Sequence, residues 1–218
     1  MMNVCFNCGI YRADKLIDPD GPRAICPECG YKHSFLQLPL LIVSGASGAG
    51  KSTICHHLLG KLREVVLLEA DILWRPEFNK PEDKYRDFFE TWLHVCKNIS
   101  QSGRPVVLFG AGTGVPENME PCVERRYFSD LHYLALTCED EVLAERLRSR
   151  PKWRKCSDLA YIDEHVRFNR WFKENGSEAE PVIELLDTTA VPVQGTVDQV
   201  TSWIYEKIGS SHLLGASA

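Results

Sequence analysis

Residues 45 to 52 read Gly45-Ala46-Ser47-Gly48-Ala49-Gly50-Lys51-Ser52, a complete G-x-x-x-x-G-K-S loop. It follows the apolar run Leu40-Leu41-Ile42-Val43 and opens a helix-compatible stretch from Thr53 to Leu62. A strand that feeds a glycine-rich turn, which in turn feeds a helix, leaves few folds open. The glycines let main-chain N–H groups turn inward around an anion, and the helix N-terminus adds partial positive charge. The expected ligand is a nucleoside triphosphate, ATP, held by Gly45, Ser47, Gly48, Ala49, Gly50, Lys51, Ser52 and Thr53. Lys51 is expected to reach the β- and γ-phosphates, and the Ser52 hydroxyl to hold Mg²⁺.

The rest of the body alternates between the two periodicities. Apolar runs suited to buried parallel strands occur at Leu40–Ser44, Val65–Glu69, Pro105–Phe109, His132–Thr137 and Val182–Leu186. Between and after them lie helical stretches at Lys51–Lys61, Asp83–Ser100, Pro116–Tyr127, Glu139–Arg148, Asp158–Lys173 and Val197–Ile208. Five parallel strands with helices on both faces make a three-layer α/β P-loop domain, expected over residues 37–210. Residues 211–218 are expected to form a tail.

Ahead of the loop, Cys5-Phe6-Asn7-Cys8-Gly9 and Cys26-Pro27-Glu28-Cys29-Gly30 are two C-x-x-C-G knuckles, with seventeen residues between Cys8 and Cys26. That spacing suits a tetrahedral Zn²⁺ site with ligands Cys5, Cys8, Cys26 and Cys29. Asp18-Pro19-Asp20-Gly21-Pro22 supplies the turn of a β-hairpin between them. Residues 1–36 are thus expected to be a zinc ribbon, too small to fold on apolar burial alone. His33 lies just past the last knuckle and is expected at the surface or in packing, because four thiolates already close the site. The five other cysteines lack metal spacing and are expected to be small core residues.

Formal net charge is −5 over 218 residues, which argues against a general nucleic-acid-binding surface. The charge is uneven: Ala144 to Lys173 carries nine Lys and Arg against four Asp and Glu, and suggests a phosphate-rich partner. There is no apolar run long enough to cross a bilayer and no secretory signal at the N-terminus, so a cytoplasmic location is expected.

Ligands in such sheets bind at the carboxyl ends of the strands. After the second body strand comes Glu69-Ala70-Asp71, where Asp71 would face the γ-phosphate and align an acceptor hydroxyl or support the metal shell. After the third comes Phe109-Gly110, with glycine where a Walker-B strand would end in aspartate. Arg146 and Arg150 lie four apart at a helix end, and Arg167 and Arg170 one turn apart on the next helix. Guanidinium groups stay charged and grip phosphate oxygens with two bonds.

The loop, Asp71 and Arg146-x-x-x-Arg150 together resemble small P-loop kinases of the adenylate-kinase-like group. Leu68-Glu69-Ala70-Asp71-Ile72-Leu73-Trp74 is similar to the acidic strand-two segment of gluconate kinases, and chloramphenicol phosphotransferases offer a comparable aspartate. The resemblance implies a sheet order of 2-3-1-4-5 and a lid over about residues 150–158, including Lys152 to Lys155. It implies that Arg146 and Arg150 border the ATP base and phosphates, and that Arg167 or Arg170 reaches the transferred phosphoryl. The turn Asp187-Thr188-Thr189 would lie near the adenine.

The expected activity is phosphoryl transfer from ATP to a small acceptor: a nucleoside, a nucleotide or a hydroxylated metabolite. Lys51, Asp71, Arg146, Arg150, Arg167 and Arg170 are its expected catalytic residues. Arg125 and Arg126 are offered as contacts to an acceptor phosphate, and Trp74, Phe78, Tyr85, Phe88, Phe89 and Trp92 as pocket walls. Two other readings stay open: a nucleotide-dependent regulatory ATPase docked through its ribbon, and a kinase of polynucleotide ends using ribbon and basic segment together.

Overall fold

The computed structural model describes residues 3–154 and 156–215, with side chains at 152 and 210–215 outside that description. Lys155, expected in the lid, lies outside the described residues. The chain forms two sheets. The first is antiparallel, in the order β1 (Leu16–Ile17), β2 (Arg23–Ile25), β3 (Lys32–Ser34). Its hairpin turn is tied by Asp18, which accepts from the Asp20 N–H at 3.1 Å and pairs with Lys32 at 2.9 Å and Arg23 at 3.0 Å.

The second sheet is the expected one. It contains β4 (Leu40–Ser44), β5 (Val66–Glu69), β6 (Val106–Phe109), β7 (Leu131–Thr137) and β8 (Ile183–Asp187). All neighbours are parallel and the order is β5-β6-β4-β7-β8, which is 2-3-1-4-5 in body numbering. Every residue of β4 is buried, as a central strand covered on both faces requires. Alternation sorts its side chains: Leu40 and Ile42 face α2 (Arg86–Ser100), while Leu41 and Val43 face α1 (Lys51–Leu58) and α6 (Val193–Gly215). The remaining helices are α3 (Pro116–Met119), α4 (Asp140–Arg148) and α5 (Leu159–Asn175).

Several helix boundaries differ from expectation for identifiable reasons. The stretch Pro116–Tyr127 is α3 followed by a separate 3₁₀ turn, Val123–Tyr127. Pro121 has no N–H to continue the helix, and Glu90 instead caps the new turn, accepting from the Val123 N–H at 2.7 Å. Helix α1 stops at Leu58, and Gly60 turns the chain with φ +73°. Helix α2 begins only at Arg86, because Lys84 and Tyr85 both hold left-handed φ values, 57° and 58°. Helix α6 continues to Gly215, through much of the segment expected as a tail.

The small sheet packs against the body rather than projecting from it. Ala24, Phe35 and Tyr127 form an apolar contact, and the Tyr127 hydroxyl donates to Ala13 O at 2.6 Å. Beside it, Asn3 Oδ1 accepts from Lys97 Nζ at 2.5 Å and Asn3 Nδ2 donates to Glu124 Oε1 at 2.9 Å. Lys97 and Glu124 form a short ion pair, both buried, and the ammonium lies 4.3 Å over the Tyr127 ring. A buried pair is tolerated when its leftover donors and acceptors are satisfied, and Asn3 supplies that from the ribbon side.

This seam settles where Arg125 and Arg126 go. Arg125 pairs with Glu120 at 2.6 Å, and Arg126 donates to Val123 O and to Lys15 O of the ribbon. They hold structure together and are not free to meet an acceptor phosphate.

Candidate active site

The loop between β4 and α1 takes the shape its glycines permit. Gly45 has φ +136°, and a Cβ there would fall 2.3 Å from Leu136 O, so no larger residue fits. Gly50, left-handed at φ 111°, ends the loop and caps α1 with no side-chain bond to the helix. The first-turn N–H groups therefore face the cleft, where an anion satisfies them. Lys51 Nζ donates to Gly45 O at 2.7 Å and Ala46 O at 3.0 Å, lying back across its own loop.

The cleft above the loop is about 690 Å³ and is lined by Lys51, Ser52, Asp71, Arg146, Arg150 and Thr188, among others. Burial draws the Lys51 ammonium down to about 8, with Arg150 adding to the effect and Asp71 and Glu69 opposing it. Asp71 is exposed in a 3₁₀ turn, Ala70–Leu73, directly after β5. Two contacts fix that turn. The buried Trp92 indole donates to Ala70 O at 3.1 Å, and the Ala70 methyl presses against Gly110, where an added Cβ would meet it at 2.7 Å. Glycine stands in the Walker-B position, where Ala70 of the Asp71 turn and the Thr113 hydroxyl both occupy the space a side chain would need.

The basic segment divides. Arg146 donates to Thr188 Oγ1 at 3.0 Å and Thr188 O at 2.7 Å, bracing the turn after β8 at the cleft edge. Arg150 Nη1 donates to Ser47 Oγ at 2.9 Å. Arg167 and Arg170 are exposed on α5 and do not line the cleft; Arg170 forms a short ion pair with Asp140 at the start of α4. Instead α5 turns Tyr161 and His165 to the loop. Tyr161 donates from its hydroxyl to Ser47 Oγ at 3.1 Å, and His165 Nδ1 accepts from the Ser47 N–H at 3.4 Å. Sequence reading passed over both. Their spacing of four on one helix face was a signal, but arginines drew the assignment.

Of the expected aromatic walls, Trp92, Phe88 and Phe89 are buried. Trp74, 44 % exposed, packs its ring 5.3 Å from Phe88 and 6.0 Å from Tyr85, three residues beyond Asp71 in sequence.

At the ribbon, the four cysteine sulfurs lie within 4.8 Å of one another. Cys5 and Cys29 are 3.6 Å apart, Cys8 and Cys26 3.8 Å. A tetrahedral Zn–S₄ centre has sulfur separations of ~3.8 Å, so the donor set fits that ion. His33 is buried rather than superficial, edge-on to Phe6 and Tyr31. The other five cysteines are all buried.

A family model described as an AAA domain matches residues 41–165, more than half of the chain. The chain belongs to that AAA domain family. The matched span runs from β4 to His165 and so contains the loop, Asp71 and the cleft arginines Arg146, Arg150 and Arg154. The uridylate kinase of Saccharomyces cerevisiae is 26% identical over 187 residues, covering 79% of this chain and 89% of that protein. Among solved structures, a sugar kinase from Janibacter sp. HTCC2649 superposes with a TM-score of 0.57 at 16% identity, covering 77% of this chain and 94% of that one. A gluconokinase from Sinorhizobium meliloti 1021 gives 0.55 at 17% identity, covering 82% and 98%. By family this chain is an AAA domain, its fold is that of these small kinases, and no helix among the described residues is long and apolar enough to cross a membrane.

Proposed function

We propose that this AAA domain protein transfers the γ-phosphoryl group of ATP to a small acceptor that carries a nucleobase, a nucleoside or its monophosphate. The observation that carries the transfer is the convergence of Lys51, Asp71 and Arg150 on one cleft. Lys51 and Arg150 bring positive charge to where the transferring group gains negative charge. Asp71 sits at the opposite lip, where a carboxylate aligns and accepts the proton of an attacking hydroxyl. Ser52 would hold Mg²⁺, which bridges and neutralises phosphate oxygens when bound. Arg146 braces the base side of the donor through Thr188.

The nucleobase preference rests on Trp74, three residues beyond Asp71, whose half-exposed ring is held edge-on by Phe88 and at a tilt by Tyr85. The likeness to a uridylate kinase points the same way. A sugar acceptor would call for a wall of hydrogen-bonding groups instead. The small sheet forms a zinc-held part of the enzyme's own frame, because its buried Asn3 side chain and its Lys15 carbonyl bond to the body. That weighs against a free docking module.

The test is ADP release with ATP and Mg²⁺ against panels of nucleosides, nucleoside monophosphates and sugars. Stimulation confined to the first two, lost in Lys51→Ala and in Asp71→Asn, is the expected result. Stimulation by sugars alone overturns the acceptor class. A flat response across all panels overturns the kinase reading in favour of a regulatory ATPase.

A further inference from the structure

Resting on the kinase reading, we propose that His165 contacts the terminal phosphate of the bound triphosphate, supplying from α5 the contact that Arg167 and Arg170 do not make. Helix α5 is anchored at its start by Asp158, whose Oδ1 accepts from the Ala160 N–H at 2.8 Å. From there Ile162, Asn169 and Phe172 are buried against the body, while Arg167 and Arg170 are exposed. Tyr161 and His165, one turn apart, stack edge to face at 4.3 Å and both meet Ser47.

Ser47 is held from three sides. Its hydroxyl takes bonds from Arg150 and Tyr161, and its N–H is given to His165 Nδ1. Lys51 Nζ lies against Ala46 O, the carbonyl of the same peptide unit. That carbonyl and the Ser47 N–H point to opposite sides of the peptide, so His165 approaches the loop from the side away from Lys51, against Ser47 and Arg150, which both line the cleft. With Nδ1 accepting, the neutral imidazole carries its proton on Nε2, which leaves that N–H to donate to a phosphate oxygen.

The charges around the ring suit a switch on binding. Burial, together with Lys51 and Arg150 across the loop, holds the imidazole below its ordinary value, and Glu164 on its own helix works against them. An arriving phosphate reverses the sign of that field. Triphosphate binding then favours a second proton on His165, which enters at Nδ1 and releases the Ser47 N–H to the phosphate, and a diphosphate, lacking the terminal group, does so less.

The experiment measures the affinity of the full chain for a non-hydrolysable ATP analogue and for ADP, near pH 6 and near pH 7.5, where Lys51 keeps its charge. For the native protein the analogue is expected to gain on ADP as the pH falls. His165→Asn should lose about tenfold on the analogue and less than about twofold on ADP, the scale of one hydrogen bond to a charged group, and should abolish the pH effect. Tyr161→Phe, which leaves the imidazole in place, should keep it. Equal losses on both ligands, or an unchanged ratio in His165→Asn, overturn the assignment of His165. Full affinity in Lys51→Ala for both ligands would instead overturn the donor site itself.

Discussion

The two sheets of this chain are held together by different means. In the body, β4 and β6 bury every side chain, and each strand sends alternate apolar residues to two cores. In the ribbon, the buried residues include Asn3, Lys15, Asp18 and His33, with Ala24 and the sulfurs of Cys5 and Cys26 beside them. Such a sheet has little hydrophobic surface to remove from water. Its order depends on the four-sulfur site and on the polar seam. The seam matters beyond the ribbon, because Lys97 sits on the same helix as Trp92, which holds the turn bearing Asp71.

The most severe way to break this contrast is to keep the proposed Zn²⁺ from the four-sulfur site. Cys26→Ser, or a strong chelator, is expected to unfold the ribbon outright, since the binding energy of such a site is its folding energy. Hydrogen exchange over residues 3–35 should rise to that of an open chain while nucleotide binding at the loop survives. Loss of both together would show that the two sheets form one cooperative unit.

The next largest effect lies at the seam. Lys97→Ala strands a buried carboxylate and should cost about 3–5 kcal/mol in denaturant unfolding. A Lys97→Met, Glu124→Leu double variant, which removes both charges, should recover most of that loss. If the double variant is as unstable as the single, the pair contributes through something other than mutual compensation.

Trp92→Phe is a gentler probe that reaches the active site. It deletes the bond to Ala70 O and part of a buried ring, and should cost about 1–3 kcal/mol of stability. A fall in kcat with the KM for ATP unchanged would mark Trp92 as a positioning residue for Asp71. Unchanged kcat would mean that Gly110 and the strand end hold the turn unaided.

The smallest effect concerns the two desolvated lysines. Burial lowers both, but Lys97 has Glu124 as a permanent partner, whereas Lys51 leans on its own loop carbonyls. With its value near 8, Lys51 is charged below that pH and loses its proton above it. Nucleotide affinity should therefore be level up to about pH 7.5 and weaken progressively as pH rises through 8. Affinity that stays level to pH 10 would mean the ammonium keeps its proton in the free site.

Much of this arrangement was legible in the sequence. Uniform apolar runs named the five parallel strands, and spacing alone named the loop and the four cysteines. What escaped depends on contacts distant in sequence in some places and on local backbone choices in others. Gly110 reads as a missing acid until the Ala70 methyl is seen against it. Arg125 and Arg126 look available until residues 15 and 120 are brought beside them. Two left-handed residues before α2 follow no composition rule, since neither is glycine. Pro121 was a readable stop that the expected helix ran through. His165 belongs to no motif, and its place appears only when α5 is laid across the loop.

The distance along the chain between the seam's partners has a consequence for how the molecule is made. The four cysteines close within residues 5 to 29, so the ribbon can take its metal as soon as that stretch leaves the ribosome. Asn3 and Glu124, by contrast, are 121 positions apart. Domains fold largely in the order of their synthesis, and long-range pairings come late. The four sulfurs are therefore together early, while the buried charges that complete the seam come late.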